Sequence, residues 1–286
     1  MKFATYEYRG EVRVGLVQEL ENRILPVPVP DMLSLISCYD DLKSSIGNNF
    51  DPIPLDGVRL LAPIPRPRNN IICVGKNYRA HAKEFAQSGY EANAKKGAEI
   101  DEYPAVFTKR PQSVIGPGVT IELHPGVTSE VDYEVELTIV IGKSGRNILR
   151  ADALKHIWGY TIINDVTARD RQKNHKQWYL GKSLDTFCPM GPWIVTADEI
   201  DPENVQVKTW VNDELRQDAN TRDLIFDIPG LIETISAGAT LEAGDLIATG
   251  TPEGVGIGFR PPKFLKKGDV VTVAADGIGV LANPFG

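Results

Sequence analysis

The sequence predicts an α+β fold dominated by strands, with a small α/β domain ahead of a larger β-rich body. Three observations lead there. Strand-like runs recur from residue 70 to the end, among them NNIICVG, AVFTKR, DYEVELTIVIG, HIWGYTIIN, PWIVTA, VQVKTWVN, DLIATG and DVVTVAA, each bounded by glycines or other turn residues. Helical periodicity is confined to a few short segments. The prolines at 63, 65 and 67 in LLAPIPRPRNN can neither continue a helix nor donate to a central strand, so they divide the chain.

Taken in order, KFATYEY and VRVGLVQ flank Arg9-Gly10 and predict an opening β-hairpin. DMLSLISCYDDLKSSIG has helical apolar spacing and stops at Gly47. Residues 1–66 are therefore expected to form a small N-terminal domain and 67–286 the main body. Helices are expected in the body at 77–88, 167–178 and 228–237. Residues 89–103, GYEANAKKGAEIDEY, have no apolar face to bury and read as a mobile surface loop and candidate lid.

Composition narrows the function. The 286 residues are 42% hydrophobic, enough for a substantial core. A net charge of −7 without a Lys/Arg stripe argues against nucleic acid as a partner. No stretch approaches the roughly 18 to 20 apolar residues of a membrane span, and MKFATYEYRG lacks a signal-peptide core, so a cytoplasmic location is expected. Cys38, Cys73 and Cys188 have no CxxC spacing and are expected to be reduced and buried.

Several familiar motifs fail. The GKS triplets at 142–144 and 181–183 lack the glycine that a phosphate-cradling loop needs, since Leu137 and Lys176 stand there. HAKEF at 81–85 ends in Phe85 where a zinc protease needs a second histidine, and no GxSxG occurs. The glycines of GTPEGVGIG precede FRPP, which forbids a dinucleotide-binding helix and leaves a tight turn.

The stretch SEVDYEVELTI carries Glu130, Asp132, Glu134 and Glu136 at every second position, hence on one face of a strand. A half-solvated antiparallel strand alternates in the same way. Here, however, no Lys or Arg relieves the repulsion, and LTIVIG after Glu136 is apolar on both faces, so Glu134 and Glu136 enter the interior. Buried carboxylates need a partner, and a hard cation such as Mg²⁺ accepts oxygen ligands. Asp165, at the end of the strand in GYTIINDVTARDRQ, is the candidate for a third ligand, while Thr167 and Asp170 are expected to form a capping box. Arg169 and Gln172, three apart, share a helix face, which a solvated surface would also explain. His81 and Glu84 are likewise three apart; a surface pair reads the same way, but Glu84 could fix the ring tautomer of a general base.

Six segments in this order, CVGKNYRAHAKEF, DYEVEL, NDVTARDRQ, GKSLDTFCPMGPW, NDELRQDANTRDLIFDIPGLIETIS and LIATGTPEGVG, resemble the fumarylacetoacetate hydrolase family over roughly residues 70 to 280. The resemblance implies a mixed β-sandwich roll behind a small N-terminal domain, usually as a homodimer. It implies that Glu134, Glu136 and Asp165 bind Mg²⁺ or Mn²⁺, and that His81 and Glu84 form a water-activating dyad on a helix that closes over the site. Lys182 matches a lysine that contacts substrate oxygens, and Arg169, Gln172 and Thr251 match substrate-side positions. Glu130 and Asp132 have no metal role in that pattern and are expected nearer the wet end of the strand, either as surface acids or as acids that support the ligands from behind. The 89–103 insert and RPQS after Lys109 depart from shorter and Pro/Ser-rich family versions, which bears on substrate choice.

The activity so implied is metal-dependent, catabolic hydrolysis of a carbon–carbon bond in a 1,3-diketo, acylpyruvate-type acid, releasing a keto acid such as pyruvate. The same enolate chemistry would serve a 2-oxo-dicarboxylate (oxaloacetate-type) decarboxylase or a 2-hydroxyhepta-2,4-diene-1,7-dioate-type isomerase. A non-catalytic, metal-dependent ligand-binding module is the reading from another class. In each case the partner is a small keto acid.

Overall fold

The computed structural model describes residues 1–47, 51–90 and 101–286, so most of the expected lid, residues 91–100, lies outside the described residues. The chain is an α+β fold dominated by strands. Its main sheet has twelve strands, and the backbone of that sheet runs in the order Ile53–Pro54, Arg23–Val27, Glu11–Gln18, Lys2–Tyr8, Cys188–Thr196, Ile157–Asn164, Val135–Ile141, Leu246–Ala248, Ile71–Gly75, Ala105–Lys109. The opening hairpin turns at Arg9 and Gly10, both at positive φ, as a tight two-residue connection requires. Lys2 and Phe3 then pair with Val195 and Ile194, which hydrogen-bonds the first module into the same sheet as the body.

A second sheet of four strands, Glu214–Asn220, Gln206–Val211, Val270–Ala275 and Gly279–Pro284, packs across the centre of the first. This explains two sequence patterns. Val135–Ile141, Ile157–Asn164 and Cys188–Thr196 are buried at every position because both of their faces are covered. Gln206–Val211 is buried at alternate positions because only one of its faces is.

The helices start where the chemistry allows. Asp31 accepts from the Ser34 amide to open Met32–Leu42, and Asp227 accepts from the Gly230 amide to open Ile228–Ser236. The helix expected at 77–88 runs over Arg79–Ser88 and stops at Gly89 in the left-handed conformation. The one expected at 167–178 is shorter, Arg169–His175, followed by a separate turn, Tyr179–Lys182. The capping box does not form. Thr167 is extended because it pairs with Asp132, its hydroxyl donates to the Asp165 carbonyl, and the cap position passes to Ala168. Asp170 instead accepts from the Thr128 hydroxyl and the Arg171 amide. All three cysteines are free, with Cys73 and Cys188 buried and Cys38 half-buried on the helix Met32–Leu42.

Gly159 marks where the central strands approach most closely. A β-carbon there would lie 2.3 Å from the Val195 carbonyl oxygen and 2.9 Å from a methyl group of Ile194. Gly159→Ala is expected to destabilise the protein by about 1–3 kcal/mol, the usual scale for overpacking. Urea unfolding followed by circular dichroism measures this, and an unchanged midpoint would show that these strands have room to part.

Candidate metal centre and active site

The acidic stretch is not one continuous strand. Val131–Asp132 pairs with Thr167–Ala168, and the ladder resumes only at Val135, opposite Asn164. At the break, the Glu134 amide donates to the Asn164 side chain and the Asp165 amide donates to the Glu134 carbonyl. This local crossing brings the ends of two central strands together. One carboxylate oxygen each from Glu134, Glu136 and Asp165 falls within 4.8 Å of the others, all three side chains being buried. Oxygens sharing one Mg²⁺ at about 2.1 Å can be at most about 4.2 Å apart, so small side-chain movements suffice to close the set.

Cations surround the three acids. Lys182 Nζ donates to Glu134 Oε2 at 2.6 Å and to Asp165 Oδ2 at 2.7 Å. Lys109 Nζ, fully buried, donates to Asp165 Oδ1 at 2.6 Å and to the carbonyls of Val166 and Lys182. Arg169 donates through Nε to Asp132 Oδ2 at 2.9 Å and through Nη1 to Gln172 Oε1 at 3.1 Å. Its Nη2 lies 2.6 Å from Glu134 Oε1 as an ion pair off the hydrogen-bond line. Burial would raise the Glu134 carboxyl, but Lys182 and Arg169 outweigh it and push it down to about 2. Burial would lower the Lys182 ammonium, but Asp165 and Glu134 hold it above its ordinary value.

Glu136 differs. It accepts from the Gly250 amide at 2.9 Å and, among the described residues, has no ion pair. Burial, with Asp165 and Glu134 beside it, raises its carboxyl well above the usual range. The buried cluster thus holds four carboxylates, Asp132, Glu134, Glu136 and Asp165, against three cations, Lys109, Arg169 and Lys182. A divalent oxygen-seeking ion fits this donor set in both chemistry and charge.

The helix Arg79–Ser88 lies over the cluster. Its His81 Nδ1 is 3.1 Å from Glu84 Oε2, and Glu84 Oε1 accepts from the Gly254 amide at 3.0 Å. The turn expected in GTPEGVGIG is therefore the seat of the dyad, and a β-carbon on Gly258 would sit 1.9 Å from Glu84 Oε1. The same loop is held to the strands below. The Gly256 and Ile257 amides donate to Asp132, Gln217 Nε2 donates to the Thr251 hydroxyl and the Pro252 carbonyl, and the Tyr133 hydroxyl donates to the Gly254 carbonyl.

Of the two expectations for Asp132, the surface acid at a wet end is overturned, and the acid that supports the ligands from behind is what stands there, through Arg169. It is fully buried and ties Arg169 to the loop that holds Glu84, while Glu130 is half-buried. Its alternation with Glu134 carried that signal in the sequence. Lys109, at the end of the strand Ala105–Lys109, is a partner of the cluster that no local pattern in the sequence marks.

Of the nine expected site residues, all but Glu84 and Asp165 line one cavity of about 10 Å³, enough for one water. Phe85, Phe107 and Trp178 form its apolar wall, with ring centroids 5.2 to 5.9 Å apart across Trp178. Larger grooves of about 530 to 610 Å³ lie elsewhere, without such converging charge.

The chain is similar to proteins of known sequence and structure over its whole length. The profile described as fumarylacetoacetate (FAA) hydrolase C-terminal matches residues 70–285. Oxaloacetate tautomerase YisK of Bacillus subtilis is 56% identical over 100% of both chains. A fumarylacetoacetate hydrolase from psychrophilic Exiguobacterium antarcticum superposes with a TM-score of 0.84 at 43% identity, covering 100% of this chain and 99% of that one. Maleylpyruvate hydrolase from Sphingobium sp. SYK-6, solved with manganese(II) and pyruvate, superposes with a TM-score of 0.79 at 36% identity, covering 100% and 98%. With the family profile spanning most of its length and a full-length relative above half identity, the chain belongs to the fumarylacetoacetate hydrolase family.

Proposed function

We propose that this protein is a divalent-metal-dependent enzyme that forms and reprotonates the enolate of a 2-oxo acid, with keto–enol tautomerisation of an oxaloacetate-type substrate as its reaction. The observation that carries this reading is the convergence of three buried carboxylates, one with no ion pair among the described residues, and a hydrogen-bonded His/Glu pair around one small cavity. The full-length tautomerase relative favours this outcome over the others.

In this proposal Glu134, Glu136 and Asp165 hold Mg²⁺ or Mn²⁺, which when bound draws electron density from the keto oxygen and the adjoining carboxylate. Lys182 meets the negative charge that develops on that oxygen, and its ion pairs hold it in place as a cation. Arg169, Gln172 and Thr251 orient the acid from the cavity wall. Glu84 keeps the His81 proton on Nδ1, leaving Nε2 to take a proton from the carbon beside the keto group and deliver it to the enolate oxygen. In the reverse direction Nε2 takes the enol O–H proton and delivers it to that carbon. The C–H bond lost is matched by an O–H bond gained, so the step needs no water. The aromatic wall keeps solvent away.

Carbon–carbon hydrolysis of an acylpyruvate-type acid is the second reading. A histidine fixed by Glu84 can equally deprotonate water, and the maleylpyruvate hydrolase relative was solved with manganese and pyruvate. We also propose that residues 1–66 act as a small N-terminal domain beside a catalytic part, 67–286.

Supplying oxaloacetate with Mg²⁺ or Mn²⁺, and following enol absorbance together with pyruvate and CO₂ release, separates the outcomes. Chelator-sensitive enol–keto conversion without pyruvate is expected. Pyruvate with CO₂ from oxaloacetate would mean a decarboxylase, pyruvate from an acylpyruvate a hydrolase, and tight binding without turnover a ligand-binding module. His81→Ala is expected to lower turnover by about 10²-fold or more while Mn²⁺ binding, measured calorimetrically, is unchanged; full activity would remove its role. Glu136→Gln is expected to abolish the rise in Tm on adding Mn²⁺, and a preserved rise would take Glu136 out of the ligand set.

A further inference from the structure

We propose that Gln217 is a positioning residue that fixes the Thr251 hydroxyl as a hydrogen-bond donor to an oxygen of the bound acid. The inference rests on the reading above for which cavity takes that acid. Gln217 lies on the strand Glu214–Asn220 of the second sheet, opposite Thr209, and is 1% exposed. The register of these two strands shifts just beyond that pair, between Thr209 and Trp210, an irregularity of the kind that re-aims side chains. Thr251 is buried and lines the cavity, whereas Gln217 does not line it.

The neighbours of the Gln217 amide allow one assignment of its two ends. The Val135 amide, which only donates, lies 3.1 Å from Oε1, and the Pro252 carbonyl, which only accepts, lies 2.8 Å from Nε2. Turning the side chain over would set donor against donor and acceptor against acceptor. Nε2 therefore also donates to Thr251 Oγ1, at 2.8 Å, and the Thr209 hydroxyl donates to Oε1, at 2.8 Å. Both hydrogens and both acceptor positions of the amide are then in use.

A threonine hydroxyl can donate and accept at once. At Thr251 the oxygen already accepts from Gln217, and its own hydrogen has no acceptor among the described residues. That hydrogen is left for an acceptor that enters the cavity. An oxygen that accepts one hydrogen bond donates its own more strongly, and a carboxylate is a strong acceptor for it. A purely structural amide, present only to satisfy Val135 and Pro252, would affect stability alone. The positioning role instead requires a loss of ligand affinity that depends on Thr251.

Oxalate is the probe, because it offers acceptor oxygens and has no C–H bond to enolise. Titrated calorimetrically into the full-length, Mn²⁺-loaded protein, it is expected to bind Thr251→Val about tenfold or more weakly, the scale of one hydrogen bond to a charged group, and Thr251→Ser within about threefold of wild type. Gln217→Met should weaken oxalate by about threefold or more on its own and add nothing to Thr251→Val, with Mn²⁺ affinity within about twofold throughout. Gln217→Glu, which as a carboxylate keeps the acceptor for Val135 but cannot donate to Thr251, is expected to match Gln217→Met and replaces it if the methionine variant does not fold. A protein that folds with neither would assign Gln217 to the core alone and overturn the proposal. So would a wild-type protein that does not bind oxalate, a Thr251→Val variant that binds it as tightly as Thr251→Ser, or losses that multiply in the double variant. If oxaloacetate is not tautomerised but the loss at Gln217 depends on Thr251, the reaction assignment fails and the positioning role stands.

Discussion

The buried charge cluster is the constraint on which the rest of this structure depends. Each ion placed out of water costs several kcal/mol, and losing one partner of a buried pair costs about 3–5 kcal/mol because the other is left stranded. The core therefore has to be built so that every partner arrives together. Glu134 comes from the break ahead of one central strand, Asp165 from the end of its neighbour, Lys109 from the far edge of the sheet, and Arg169 and Lys182 from the helical turns that follow Asp165. The order of strands in the main sheet is what makes those five meet. With three cations for four acids the cluster is one positive charge short, and that shortfall falls on Glu136.

The same acids also order the loop above them. Glu136 and Asp132 take amide hydrogens from Gly250, Gly256 and Ile257, so the loop is fastened at both ends to the strands that carry the ligand set. Glu84 is fastened to the middle of that loop through Gly254, and His81 to Glu84. The position of the histidine is thereby tied to the carboxylates by a short run of hydrogen bonds rather than by its own helix alone, which starts without a side-chain cap. A proton-transfer group held this way keeps its geometry without relying on the marginal stability of a ten-residue helix.

Much of this was legible in the sequence, for identifiable reasons. A two-residue alternation shows which side chains share a face, so Glu134 and Glu136 could be paired before any coordinates existed, and a spacing of three did the same for His81/Glu84 and Arg169/Gln172. Long-range partners were the part that local periodicity does not encode. Lys109 is 56 residues from Asp165, and Gln217 is 34 from Thr251; neither side chain stands out from its neighbours in sequence. The capping box failed for the same reason, since the backbone of Thr167 was already committed to Asp132, 35 positions earlier. Asp132 shares the face of Glu134 in the alternation, but nothing in its sequence neighbours shows that this face stays covered so far along the chain. Its cover is Arg169 and the distant loop whose Gly256 and Ile257 amides it accepts from.

On the proposed reading, the reaction outcome is not decided by the three metal-binding carboxylates. Those residues and Lys182 stabilise an enolate, and an enolate is common to tautomerisation, decarboxylation and hydrolytic cleavage. What distinguishes hydrolysis is a water within reach of His81 while the substrate is bound. The cavity between the dyad and the carboxylates has the volume of one water, and a bound keto acid would compete for that same space. A keto acid is several times larger than one water, so the pocket has to open to admit it, and a substrate that leaves no space for water beside it leaves His81 facing carbon, with proton shuttling the chemistry that remains. On that reading the Phe85–Trp178–Phe107 wall, which borders the cavity beside His81, is what a longer acyl chain would meet, so these rings bear on whether a water can stand next to His81 while the substrate is bound.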